Sequence, residues 1–154
     1  MSEPVSINAQ IVEGLYCEAL VLSDEVRDSF ALNGRIDDIG QSEDLTRVAL
    51  SCEGLRTTTR MMHAIAWLLN HRAFFTGELS EFQLRRHGKL SPDLYGGNSG
   101  NLEMLPTYLQ RLVGETDRFY ARLLRLDREW CRTHLNAPGA IARLRDRVAS
   151  RAEL

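Results

Sequence analysis

Residues 53–62 read Glu53-Gly54-Leu55-Arg56-Thr57-Thr58-Thr59-Arg60-Met61-Met62, and the chain runs on into Trp67-Leu68-Leu69 and Arg72-Ala73. The stretch lies in the middle of the longest helical pattern of the chain. Three consecutive threonines are not what a solvated helix surface needs, because β-branched side chains lose rotamer freedom in a helix. A core seam is not usually interrupted by two arginines one turn apart. The block is therefore either a polar layer inside a helical bundle or a surface used by a partner. Glu53 is placed to reach Arg56 along one helix face. Arg56 and Arg60, four apart, repel each other unless an acid from another helix sits between them. Glu115, Asp117 and Asp127 are the candidates, and a planar guanidinium suits two-point binding of a carboxylate. The first reading makes Glu53, Arg56, Thr59, Arg60 and Arg72 a layer that sets helix register, with Trp67 in the core. If Trp67 faces outward, it becomes the anchor of an interface.

The pattern around the block predicts a helix from about Ser42 to about Thr76. Leu45, Val48, Cys52, Leu55, Thr59, Met62, Ala66, Leu69 and Ala73 form one seam, expected to face the core. From Met61 a second seam appears, of Met61, Ile65, Leu68 and Phe75, so this half is expected either to be the centre of the fold or to touch a second subunit. Ser42 is the expected N-cap, and Gly77 ends the helix. Upstream, Ile7, Ile11, Leu15, Ala19, Leu22, Val26 and Phe30 predict a helix from about Ser6 to about Leu32. Ser6 is its expected cap, and Asn33-Gly34 stops it. Downstream, Ser80-Glu81-Phe82-Gln83 is a capping-box pattern for a short helix ended by Gly88. Glycine and asparagine make Ser91–Asn101 the expected flexible linker. Leu105, Leu109, Leu112, Thr116, Phe119, Leu123, Leu126 and Trp130 then repeat as a heptad seam. Asn136, Pro138 and Gly139 end that third long helix.

No strand pattern or internal repeat occurs. The fold class is all-α, an antiparallel bundle of three long helices with a short extra helix in the second connection. Residues 1–136 form the bundle domain, and residues 137–154 are an arginine-rich, partly mobile tail in which Ile141, Leu144 and Val148 make a weak amphipathic turn. The 154 residues suffice for one domain with a real core. No apolar run spans a bilayer and no secretory signal is present, so a cytoplasmic protein is expected. Cys17, Cys52 and Cys131 are widely spaced and odd in number, which argues for buried free thiols and not a disulfide framework.

The net charge of −2 conceals a gradient. Residues 1–54 carry −8, residues 55–110 carry +2, and residues 111–154 carry +4. Acidic and basic segments of this kind complement one another within a bundle or across a dimer. Arg111, Arg118, Arg122, Arg125 and Arg132 line one side of the third helix, away from its leucine seam. This stripe is the possible partner surface, and a nucleic-acid-associated regulator is one alternative function. The interleaved Glu115 and Glu129 favour a solvated, ion-paired face.

Catalytic and metal signatures are missing from the sequence. His63 and His71 are eight apart, and Cys131 and His134 lack a second ligand pair, so no metal is expected. No phosphate-binding glycine loop occurs. Gly97-Asn98-Ser99-Gly100 matches a nucleophile elbow only superficially. Asp37-Asp38 and Glu43-Asp44 are explained by turn formation and helix dipole. No enzyme and no cofactor are expected, and a small-ligand-binding helical bundle is the other alternative.

Glu53, Arg56, Thr58, Thr59, Arg60, Met62, Trp67, Leu68, Leu69, Arg72 and Ala73 form a pattern that resembles the bacterial family of the regulator of CtrA degradation, a helper of the ClpXP protease. Leu105-Pro106, Leu112, Tyr120, Arg122, Leu126-Asp127 and the opening Glu3-Pro4-Val5 continue the likeness, which covers most of residues 40–130. Gly54 and Thr57 stand where that family's pattern has a serine and a leucine. The resemblance implies an all-helical homodimer without cofactor. It also implies a non-enzymatic adaptor, recruited to the ClpX unfoldase primed by a response-regulator partner, that tethers substrates for degradation during the cell cycle. The characterised helper uses a flexible C-terminal tail; here the residues after Asn136 are few and arginine-rich.

Overall fold

A computed structural model describes residues 7–34, 43–96, 100–135 and 140–152. Every regular element among them is helical: α1 Ala9–Gly34, α2 Glu43–Phe75, α3 Glu81–His87, α4 Thr107–Leu135 and α5 Ala140–Ala152, with short 3₁₀ turns at Pro92–Leu94 and Leu102–Met104. The fold is an all-α bundle.

Asn8 starts α1, its side-chain oxygen accepting from the Ile11 backbone N–H at 2.9 Å. This satisfies one of the donors a helix start leaves open. The expected caps Ser6 and Ser42 lie outside the described residues. The apolar stripe of α1 is the expected one: Val12, Leu15, Ala19, Leu22 and Val26 are all buried. α1 and α2 pack against each other and run antiparallel. Glu13 of α1 meets Arg72 of α2 at 2.6 Å, and Phe30, near the other end of α1, lies over Gly54. A Cβ at Gly54 would stand 3.1 Å from the Phe30 ring, so the missing side chain admits the aromatic. Gly77, at φ +83°, turns the chain out of α2 in a left-handed conformation that favours glycine. The capping box of α3 is formed: Ser80 Oγ accepts from Gln83 N–H at 3.2 Å, and Gln83 Oε1 accepts from Ser80 N–H at 2.9 Å.

The segment from Gly88 to Pro106 carries the chain back along the bundle. Leu90 lies beside Asp127, Leu94 beside Arg60, and Gly96 beside Asp117. α4 consequently runs in the same direction as α2, with Arg60 level with Thr116 and Trp67 level with Asp127, so the expected antiparallel order holds for α1 against these two helices but not between α2 and α4. The heptad seam of α4 is the centre of the core. Leu105, Leu109, Leu112, Thr116, Phe119, Leu123 and Trp130 are buried, and Leu126 is half-buried.

α2 is turned differently from its expected orientation. Along the first seam Leu45, Val48, Leu55, Met62 and Leu69 are 43 % to 71 % exposed. Cys52 and Ala66 are exposed with them. The second seam is closer to expectation: Met61 and Leu68 are buried and Ile65 half-buried, although Phe75 is exposed. The inward face comprises Ala49, Glu53, Thr57, Arg60, Ala64, Trp67 and His71. The physical reason lies on α4 and the crossover, which carry the acids, hydroxyls and carbonyls that the polar groups of α2 require. Met61, Trp67 and Leu68 supply the apolar area on the same side.

The cysteines differ from expectation too. Cys17 and Cys52 are exposed, because each sits on the outer side of its helix; Cys131 is half-buried. The division at residues 136–137 falls on residues 136–139, outside those described. Beyond it, α5 is a regular helix in place of a turn or two.

Candidate protein-interaction surfaces and the polar layer beneath them

The central block folds into a connected polar layer. Arg60 is 2 % exposed and is held from three directions. Its Nε donates to Leu94 O at 2.7 Å, Nη1 donates to Thr116 Oγ1 at 2.9 Å, and Nη2 pairs with Asp117 at 3.1 Å. The planar fork makes this three-way contact possible. Burial lowers the Arg60 pKa, Asp117 opposes that shift, and nearby Arg56 adds to it. Arg56 donates to Gly96 O and lies 3.9 Å from Glu53, which is itself buried. Asp117 also accepts from Gly96 N–H at 3.0 Å. Tyr120, wholly buried in α4, donates to Ser91 O at 2.5 Å, and burial pushes its phenol up to about 12. Ser91–Gly96, expected to be a flexible linker, is thereby pinned to α2 and α4.

A second polar node lies one helix level further along. Trp67 is enclosed, and its indole N–H donates to Asp127 Oδ1 at 3.0 Å while Leu90 N–H donates to Oδ2 at 3.3 Å. Burial raises the Asp127 pKa against the pull of these two hydrogen bonds. His71 packs on the Trp67 ring at 4.1 Å and edge-on to Trp130 at 5.5 Å. Beside this node a cavity of about 190 Å³ is lined by residues including His71, Leu84, Lys89, Asp127, Trp130 and Cys131. Burial, and then Asp127, pushes the Cys131 thiol up. A raised thiol is protonated and poorly nucleophilic at neutral pH.

Of the sequence-derived layer residues, Glu53, Arg56, Arg60 and Trp67 are thus brought together under α2. Thr59 and Arg72 are not. Thr59 is half-buried towards the outer side, its hydroxyl donating to Leu55 O at 2.8 Å. Arg72 is exposed, pairs with Glu13, and lies 5.3 Å from the centroid of the Tyr16 ring. Thr57, between Arg56 and Arg60, is fully buried, and its hydroxyl has no hydrogen-bond partner among the described residues. Among the candidate acids, Asp117 answers Arg60 and Asp127 answers Trp67.

The arginine stripe of α4 is exposed throughout, at Arg111, Arg118, Arg122, Arg125 and Arg132. Arg122 pairs with Glu18 of α1 and lies 5.4 Å from the centroid of the Phe119 ring, while Arg132 pairs with Glu129 at 3.8 Å. An open groove of about 980 Å³ runs between α1 and α4, with Glu18 and Glu25 on one wall and Arg118, Arg122 and Arg125 on the other. Part of the charge gradient along the chain is therefore neutralised within one bundle.

Two apolar surfaces are left exposed, and sequence reasoning does not place them, although contact of the second half of α2 with a second subunit is one of its two readings. One is the outer face of α2. The other is on α5, where Ile141, Leu144 and Val148 are 62 % to 83 % exposed. The signal for the first was available: α2 carries apolar residues on nearly all sides, so one side had to be left over once its polar face found partners. Among the described residues, no group of three or more histidine, cysteine, aspartate or glutamate side chains is placed to hold a metal ion, and no helix is long and apolar enough to cross a membrane.

No curated protein and no solved structure matches the chain. Residues 4–151 match the family model described as "Protein of unknown function (DUF1465)". That match spans nearly the whole chain, whose polar layer and bundle fall inside it, and the chain therefore belongs to the DUF1465 family.

Proposed function

We propose that the protein is a non-enzymatic, cytoplasmic adaptor for regulated proteolysis. It acts as a homodimer that brings protein substrates to the ClpX unfoldase of the ClpXP protease together with a response-regulator partner, in the manner of the regulator of CtrA degradation. One observation carries the reading: the bundle leaves two separate apolar helix faces uncovered, on α2 and on α5. Contiguous exposed apolar surface of this kind marks protein contact sites. A homodimeric adaptor needs one face for its second copy and at least one more for the protein it delivers. The central-block resemblance supplies the identity of the partners.

The test is a pull-down from cells followed by mass spectrometry, with half-lives of cell-cycle regulators measured in a deletion strain. Recovery of ClpX and a response regulator, with slower turnover of at least one regulator on deletion, is the expected outcome. Recovery of neither, with unchanged half-lives, removes the proposal.

A small-ligand-binding bundle is the second reading, favoured by the cavity beside the raised carboxyl of Asp127. Both Asp127 oxygens are engaged by Trp67 and Leu90, which gives the residue a structural task without any ligand. The nucleic-acid reading is weakened by Glu18 and Glu25, which stand across the groove from the arginines and would repel phosphates.

A further inference from the structure

Side-chain size alternates along the outer face of α2. Leu45, Val48, Leu55, Met62 and Leu69 are large, and Cys52, Thr59 and Ala66 between them are small. The positions are three and four residues apart throughout, the spacing of a coiled-coil seam, and it is sustained for the length at which such a seam is diagnostic. At about 1.5 Å per residue the stripe is roughly 40 Å long. α1 and the buried groups of α4 lie on the other sides of α2, and its outer face is exposed among the described residues, so a further helix can be added there.

We infer that the occupant of this face is α2 of a second copy of the chain, lying antiparallel across a two-fold axis level with Thr57. The pairing rests on the homodimer proposed above and adds its face, direction and register. In an antiparallel seam the two kinds of heptad position meet each other across the interface. Leu45 then lies against Leu69 of the second copy, Val48 against Ala66, Cys52 against Met62, and Leu55 against Thr59. Three of these four layers match a large side chain to a small one, which keeps the volume per layer even, as close packing requires. A parallel pair would set Cys52 on Cys52, Thr59 on Thr59 and Ala66 on Ala66, leaving gaps that alternate with the larger Leu55, Met62 and Leu69 layers, so the volume per layer would be uneven. The flanking charges point the same way. Asp44 borders one end of the stripe and Arg72 the other. Antiparallel pairing brings Asp44 beside Arg72 of the second copy, which adds a second carboxylate to a guanidinium already paired with Glu13. Parallel pairing sets Asp44 beside Ala49 of the second copy and gives neither Asp44 nor Arg72 an opposite charge.

Disulfide trapping in the full chain carrying Cys17→Ser and Cys131→Ser tests this, with Cys52 as the remaining thiol. Under mild oxidation this parent should stay non-covalent on a non-reducing gel, while sedimentation shows a dimer. Adding Met62→Cys should convert most of it to a covalent dimer, because Cys52 then faces a thiol of the other copy. Covalent dimer from Cys52 alone means parallel pairing and overturns the inference. A parent dimer in which Met62→Cys dimerises but gives no cross-link overturns the face and register. A monomeric parent overturns the inference together with the homodimer. Recruitment of ClpX is read separately by pull-down, so failure of the adaptor reading leaves the cross-linking result standing on its own.

Discussion

The guanidinium of Arg60 lies 3.1 Å from the carboxylate of Asp117, with Arg60 enclosed in the bundle and Asp117 partly open to water. The same carboxylate accepts the Gly96 N–H, so one acid joins α2, the crossover and α4. Removing it leaves a buried cation without its counter-charge. Asp117→Ala is expected to cost about 3 kcal/mol, the low end for breaking a buried pair because Asp117 is partly hydrated. Arg60→Met should cost less than half as much, since the carboxylate left behind can take water. Urea denaturation of the two variants checks the order. Equal losses would mean the pair is not the element that matters.

Thr57 offers a change in the opposite direction. Its hydroxyl is buried without a hydrogen-bond partner among the described residues, so its desolvation is uncompensated. Thr57→Val keeps the shape and removes the polar atom. It is expected to stabilise the fold by about 1 kcal/mol, a rise in melting temperature of roughly 2–4 °C for a chain of this size. Calorimetry showing a lower melting temperature would mean that the hydroxyl has a partner after all.

The sequence carries the all-α class, the stripe of α1, the capping box of α3 and the heptad of α4, because in each of these the apolar period and the buried face coincide. It misleads at α2. There the regular apolar seam is the outer face, and the irregular one, with Glu53, Thr57 and Arg60, is the inner. Hydrophobicity alone cannot rank two faces when one of them is to meet polar groups from elsewhere in the chain. Those groups, Thr116, Asp117 and the carbonyls of Leu94 and Gly96, are brought in by a crossover whose glycines and asparagines signal only a loop. Arg60 was legible as an arginine in need of an acid from another helix, since that need follows from its spacing to Arg56, and Asp117 supplies it. Its third contact, to a backbone carbonyl of the crossover, depends on tertiary placement and has no local signature.

Asp127 gives the pH dependence. Burial raises its folded pKa above the unfolded carboxyl value of about 3.9. The protonated form is thus favoured in the fold. Its contribution is fully present below the unfolded value and is lost as pH rises through the folded one. Asp127→Asn cannot titrate. The stability of the natural chain relative to Asp127→Asn is therefore expected to be greatest at acid pH and to decline towards neutrality. Paired urea titrations at several pH values measure this, and a relative stability that increases with pH contradicts it.

Sedimentation velocity of the natural chain and Leu55→Glu, with circular dichroism on the same samples, tests most directly that the outer face of α2 is a contact surface and its inner face the core. Leu55 is exposed, so a charge there leaves the fold intact but cannot be buried between two helices. The expected result is a dimer for the natural chain and a monomer of unchanged helicity for Leu55→Glu. A natural chain that sediments as a monomer, a variant that remains dimeric, or a variant that loses its helical spectrum contradicts the account.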